Sequence, residues 1–280
     1  MRKLFIFIWC CIFTEALAQT PKPLVYINNT EQFTIESQYV NGETYTIQIG
    51  LPEDYNDSKT TYPVLIALDG DKTFGITKGM VDWLLWSKEI KKVITVGITY
   101  NKGTDAWWNK RARDYSHCYD TLLAKGWFKE MGGADNFIKF LQLELFPTLR
   151  NNYKANLDSA AIMGISFGGM FCSYVLFKNP DLFYRYIIIA PSLVWNDNSI
   201  LKLENEYSKT HTKLNKNIYI AYGSLDNKKW VNNPTNEIIS NIQTHNYENI
   251  KFHSQIFEGE THISVFSTAL TNGLKKTLGN

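Results

Sequence analysis

Cysteine is scarce in this chain. Of four in 280 residues, Cys10 and Cys11 sit in the opening apolar run, and Cys118 and Cys172 stand alone further on. With no C-x-x-C pair and no clustered Cys/His spacing, the sequence offers neither a disulfide framework nor a metal signature. One Cys118–Cys172 bridge is open to an exported protein, but Cys172 falls on an apolar stretch of helical length, where a buried free thiol is the commoner outcome. An excess of one charge is missing too: 29 Lys and Arg stand against 27 Asp and Glu, a formal net charge of +2. That balance removes the electrostatic case for nucleic acid and favours a small-molecule or oligosaccharide partner. Past the first residues, no uncharged apolar stretch reaches membrane length, and no Pro/Gly/Ser-rich linker or repeat divides the chain.

What is present begins with "MRKLFIFIWCCIFTEALAQT". Arg2 and Lys3, an apolar run from Leu4 to Phe13, and Ala16-Leu17-Ala18 have the form of a secretory signal cleaved after Ala18. The run is too short to span a bilayer. The expectation is an exported protein, periplasmic or secreted, with residues 19–280 as one domain.

Apolar and polar residues alternate in "QFTIESQY" and "ETYTIQIG" on either side of Asn41-Gly42, which predicts an antiparallel hairpin. From there strands and helices alternate. Strands are expected at 62–69, 93–99, 159–165, 184–190, 217–223 and 250–257. Helices are expected at about 75–89, 133–153, 169–180, 198–209 and 234–245, with a last one from about 263. Such βα alternation with continuous apolar strands predicts an α/β fold: a mostly parallel sheet, helices on both faces, and an antiparallel N-terminal hairpin. Residues 100–131 are the exception, too long for an ordinary connection and too aromatic for disorder, with Trp107, Trp108, Tyr115, Trp127 and Phe128. They are expected to form a long loop folded over something near the site.

The chemistry begins at "AAIMGISFGGM", residues 160–170, where Ser166 lies between Gly164 and Gly168. G-x-S-x-G is the nucleophile-elbow pattern, a strand turning sharply into a helix with the serine at its tip. At ordinary glycine usage it arises by accident in about one chain of this length in ten, so the flanks must carry it. Here an apolar strand precedes it and an apolar helix follows. A serine hydroxyl needs a histidine to take its proton and an acid to orient that histidine, in the chain order Ser, acid, His. His262 in "FEGETHISVF" follows the last strand, where groups in open α/β sheets collect. Asp226 in "YIAYGSLDNKKW" follows the strand before, with Glu258, Glu260 and Asp197 as competitors. The oxyanion requires two backbone N–H donors, expected from Phe167 after the serine and from Asp71 in "LDGDKTF". No cofactor is required.

These segments, with "YPVLIALDGDKTF", "RARDY", "GISFGG", "FKNPDLFYRYIIIAPSLVWND" and "GETHISV", resemble the putative-esterase branch of the α/β-hydrolases over nearly all of residues 30–270. That branch includes siderophore esterases acting on catecholate trilactones, feruloyl and acetyl esterases, and the antigen 85 mycolyltransferases. The resemblance implies Ser166 as nucleophile, His262 as base and an oxyanion donor at Asp71. "RARDY" is closest to the siderophore-esterase side, which implies substrate binding by Arg113 and Trp195. "GSLDNKKW" matches the branch loosely, so the acid is the least anchored part of the site. The function expected is that of a serine carboxylesterase, with a catecholate siderophore ester as its substrate. Its rivals are a feruloyl or acetyl esterase on polysaccharide, an acyltransferase with the same triad, and a catalytically silent binding protein on the same fold.

Overall fold

The computed structural model describes residues 25–57, 59–100, 103–121 and 128–280. The expected leader 1–18 and Trp127 lie outside the described residues. Eight strands form one sheet in the order β1-β2-β4-β3-β5-β6-β7-β8. They are β1 (Thr30–Glu36), β2 (Thr44–Gly50), β3 (Tyr62–Ala67), β4 (Ile94–Thr99), β5 (Ala155–Ile165), β6 (Arg185–Ile189), β7 (Asn217–Gly223) and β8 (Lys251–Phe257). β2 runs antiparallel to both β1 and β4, and every other pairing is parallel. The fold is that of an α/β-hydrolase.

The strand patterns explain the layering. β4 and β7 are buried at every position, as strands covered on both faces must be, whereas the edge strands β1 and β8 alternate with exposed residues. Along β3 the side chains take turns between layers: Val64 and Ile66 join one core cluster, Leu65 and Ala67 the other. The helices covering these faces are α1 (Gly70–Trp86), α2 (Thr104–Tyr115), α3 (Ala134–Phe140), α4 (Phe146–Asn152), α5 (Phe167–Lys178), α6 (Trp195–Ser208), α7 (Asn233–His245) and α8 (Val265–Leu278). Among the described residues, no helix is long and apolar enough to cross a membrane. Cys118 and Cys172 are both free thiols.

Several elements differ from expectation for identifiable reasons. The hairpin forms, but residues 37–43 make a wider connection: Asn41 and Gly42 are the centre of a turn closed by Glu43 N–H to Val40 C=O at 3.0 Å. Ser37 Oγ meanwhile accepts from the Val40 N–H at 3.0 Å and ends β1 early. The helix expected over 133–153 is broken into α3 and α4 by a π-helical turn, Leu141–Leu145, from which Glu144 accepts hydrogen bonds from Ser37 Oγ and Gln38 N–H at 2.7 and 2.8 Å. The helix expected from about 75 starts at Gly70, because Asp69 adopts a left-handed conformation (φ 56°, ψ 40°) and turns the chain directly out of β3.

The segment 100–131 is not a loop throughout, since α2 occupies its first half. This helix escapes an apolar-period search because its inward face is largely polar. Arg111, Asp114 and Tyr115 are all buried there with Trp107. Arg111 makes a two-pronged ion pair with Asp69, Nε to Oδ1 and Nη2 to Oδ2 both at 2.8 Å, inside a ring of Trp107, Trp108, Tyr115 and Phe167. Asp114 accepts from Tyr45 Oη at 2.6 Å, Tyr100 Oη at 2.9 Å and Arg113 Nε at 2.6 Å. Burial pushes the Asp114 carboxyl above the usual carboxylate range, against the pull of these donors. Arg113→Ala would leave that carboxylate without its cation, and removing one member of a buried pair costs about 3–5 kcal/mol. Urea unfolding of the variant is expected to show a loss of that size, and a loss below about 1 kcal/mol would show the pair to be dispensable.

Candidate active site

Parallel pairing from β3 through β8 brings the C-terminal ends of these strands to one edge of the sheet, and every expected catalytic residue lies just past one of them. Ser166 follows β5. It takes φ 61° and ψ −119°, a region that non-glycine residues rarely enter. Its N–H donates to Ile189 C=O at 3.1 Å, and its own C=O accepts from Met170 N–H at 2.9 Å and Ser192 N–H at 3.2 Å. A Cβ on Gly164 would lie 2.4 Å from the backbone of Gly168, so the turn cannot form with a larger residue there. Phe167 and Asp71 are the first residue of α5 and the second of α1. The opening N–H groups of a helix have no partner within it, and its dipole favours negative charge. Asp71 is held by its side chain, whose Oδ2 accepts from the Tyr100 N–H at 3.0 Å.

The acid and the histidine meet. His262 Nδ1 lies 2.8 Å from Asp226 Oδ2, with the Asp226 side chain 3% exposed and that of His262 32%. Asp226 Oδ1 also accepts from the Asn227 N–H at 2.7 Å, which fixes the carboxylate plane. Among the acids weighed from the sequence, only Asp226 touches His262. Glu260 accepts from the Ser264 hydroxyl, and Asp197 pairs with Lys202 at the surface. The loops after β7 and β8 are bound to each other through Leu225 N–H to Glu260 C=O at 3.0 Å and Ser224 N–H to Phe257 C=O at 2.9 Å. Of the other four histidines, His117 pairs with Ser199, His245 with Glu204 and His211 stacks on Tyr207, while His253 lies exposed on β8.

Trp195 is placed inside the protein, and Arg113 is partly buried. Trp195 is buried, donates Nε1–H to Cys118 C=O at 3.2 Å and packs edge-on against Phe167 at 5.1 Å, so it backs the elbow. Arg113, which the resemblance places at the substrate, directs its guanidinium to Asp114, Glu43, Glu130 and the Tyr45 hydroxyl. The planar cation among aromatic rings is instead Arg111. Sequence reasoning missed three residues at this edge. Asp69 anchors Arg111, Ser192 Oγ lies 3.3 Å from Ser166 Oγ, and Gly223 sits under the histidine loop. "APS" directly after the strand was a visible signal for Ser192, being a hydroxyl at the same sheet edge. Gly223 carried none without the fold.

A strained serine at a helix start, at the same sheet edge as a histidine held by a buried carboxylate, is the equipment of acyl transfer through a serine ester. The fold and this equipment define a carboxylic ester hydrolase. Residues 37–277 match the model of the family described as Putative esterase, and the chain belongs to it. It is similar to the ferri-bacillibactin esterase BesA of Bacillus subtilis, with 30% identity over 265 residues covering 90% of each chain. A siderophore triacetylfusarinine C esterase of Aspergillus fumigatus is 27% identical over 290 residues, covering 91% of this chain and 94% of the relative. Among solved structures, the BES protein of Bacillus cereus superposes with a TM-score of 0.82 at 26% identity, over 92% of this chain and 98% of that one.

The tight approach at Gly223 yields a test of the site's construction. A Cβ there would come within 2.2 Å of the Glu260 carbonyl oxygen, so Gly223→Ala must displace the loop that carries His262. A shift of about 1 Å in a catalytic group costs on the order of 10²-fold in rate. Hydrolysis of p-nitrophenyl acetate is expected to fall by about that factor while the far-ultraviolet circular dichroism is retained. Unchanged turnover would show that the loop has room to yield.

Proposed function

We propose that the chain is an exported serine carboxylesterase working through Ser166, His262 and Asp226, and that its substrate is a siderophore ester of the catecholate trilactone kind. The observation that carries the mechanism is the coincidence of a strained Ser166 with the 2.8 Å His262–Asp226 contact at one sheet edge. Ser166 Oγ attacks the ester carbonyl carbon as His262 Nε2 takes its proton, and the carbonyl electron pair moves onto oxygen between the Phe167 and Asp71 N–H groups. Collapse expels the alcohol, which takes the proton back from His262. Water then repeats the sequence on the acyl-enzyme and restores the serine. Asp226 holds the imidazole in the tautomer with its proton on Nδ1 throughout. The substrate class is supported by two relatives that match along nearly their whole lengths, one named a ferri-bacillibactin esterase and the other a siderophore triacetylfusarinine C esterase. Export is supported by the leader-like opening, "MRKLFIFIWCCIFTEALAQT".

Ser166→Ala is expected to lower p-nitrophenyl acetate hydrolysis by about 10⁴ to 10⁶ and to leave the fold intact. Full activity in the variant would make the elbow a packing turn. Asp226→Asn should keep the fold and cost up to about 10⁴ in kcat, and a loss below about tenfold would remove the acid from the mechanism. The substrate is tested by comparing kcat/KM for a catecholate trilactone, a feruloyl ester and an acetylated xylan fragment. Preference for the trilactone is expected, and preference for either plant-polymer ester would overturn the siderophore reading.

A further inference from the structure

Ser166 does not rest on His262. Among the described residues its hydroxyl has one hydrogen-bond partner, the Ser192 hydroxyl at 3.3 Å. Ser192 lies on the loop leaving β6, is only 6% exposed, and also donates its N–H to the Ser166 carbonyl. The backbone that delivers it is firmly held. Ala190 N–H donates to Ala221 C=O at 2.7 Å, and Pro191 packs so closely on α5 that a Cβ on Gly169 would lie 3.1 Å from its Cα. The nucleophile and Ser192 are therefore tied twice, once through main chain and once through side chain, and only the second tie involves the reacting atom.

We propose that Ser192 is a positioning residue that holds the Ser166 hydroxyl in a resting orientation, from which it must turn before it can pass its proton to His262. The inference rests on Ser166 being the nucleophile. In the reactive orientation the Ser166 O–H donates to His262 Nε2. As Oγ bonds to the carbonyl carbon, the proton goes to that nitrogen, and Ser192 makes and breaks no covalent bond. A protein whose competent form is only partly populated reacts more slowly in proportion to that fraction. A neutral hydrogen bond weights such an equilibrium by about twofold to tenfold, so removing the Ser192 hydroxyl should raise the rate of attack on Ser166 by about that factor. Loss of a merely structural contact would lower the rate or leave it alone, which separates the two roles.

The test is the second-order rate constant for labelling by a fluorophosphonate probe, followed across pH in the intact protein. Labelled wild-type protein and unlabelled Ser166→Ala establish the nucleophile, and an unlabelled wild type would overturn the proposed function whatever Ser192 does. Given labelling, Ser192→Ala is expected to react about two to ten times faster. Its pH midpoint and melting temperature should stay unchanged, because the His262–Asp226 contact and the Ser192 N–H are untouched. Ser192→Thr, which keeps a hydroxyl, should return toward the wild-type rate. Ser192→Cys keeps the volume with a weaker hydrogen bond, and should fall between wild type and Ser192→Ala. It also serves if the alanine variant does not fold. Equal or slower labelling of both the alanine and cysteine variants would overturn the proposal. So would a gain accompanied by a shifted pH midpoint, since that would place the effect on His262.

Discussion

The whole arrangement hangs on one residue held where it does not want to be. At φ 61° the backbone of Ser166 stores on the order of 1–3 kcal/mol, and it persists because its surroundings leave no alternative. β6 takes its N–H, the loop beyond β6 and the first turn of α5 take its carbonyl, and the contact of Gly164 with Gly168 lets strand and helix close to within backbone distance. The strain lifts the side chain out of both the strand and the helix. That requirement explains why Ser166 is set at the end of a central strand: only there does a parallel neighbour on each side supply rigid backbone against which to hold the turn.

The helix over the elbow meets a different physical problem. α2 buries charge, and it does so by complete pairing: Arg111 with Asp69, and Asp114 with Arg113 and two tyrosine hydroxyls. Buried polar groups of this kind give geometry where oily contacts would give freedom, because each donor has a direction. Through Asp69 this network reaches the turn after β3. Through Phe167, whose ring faces both the Arg111 guanidinium and Trp195, it reaches the residue next to Ser166. The wall beside Ser166 is thus anchored to the sheet by ionic bonds.

Most of the architecture was legible in the sequence because buried parallel strands are simple signals. "VITVGIT", "YRYIIIA" and "NIYIAYG" are apolar over most of their length, and each became a strand inside the sheet. Catalytic candidates were legible for a related reason, since chain order plus a position just past a strand leaves few residues to choose from. What stayed hidden depends on contacts between distant segments. The charged residues on the inward face of α2 hide its helical period until Asp69 and Tyr45 are seen opposite them. Gly223 is an ordinary strand end until Glu260 is seen to pass over it. The protein partners of Arg113, Glu43 and Glu130, could not be read from the sequence because they lie far from it in the chain. The pairing of Asp226 with His262 needed coordinates to separate it from Glu258 and Glu260, which are near the histidine in sequence.

The side chains of the candidate site are unequally secured. Ser166 stands on β5, flanked on both sides, whereas His262 follows β8, which pairs with β7 alone and keeps several of its residues exposed. Edge elements of this kind open in local fluctuations well short of global unfolding. A brief fraying of the last strand would carry away His262 and leave the turn at Ser166 intact. The lifetime of the working site on heating is then set by the margin of the sheet, and activity and compactness need not be lost together.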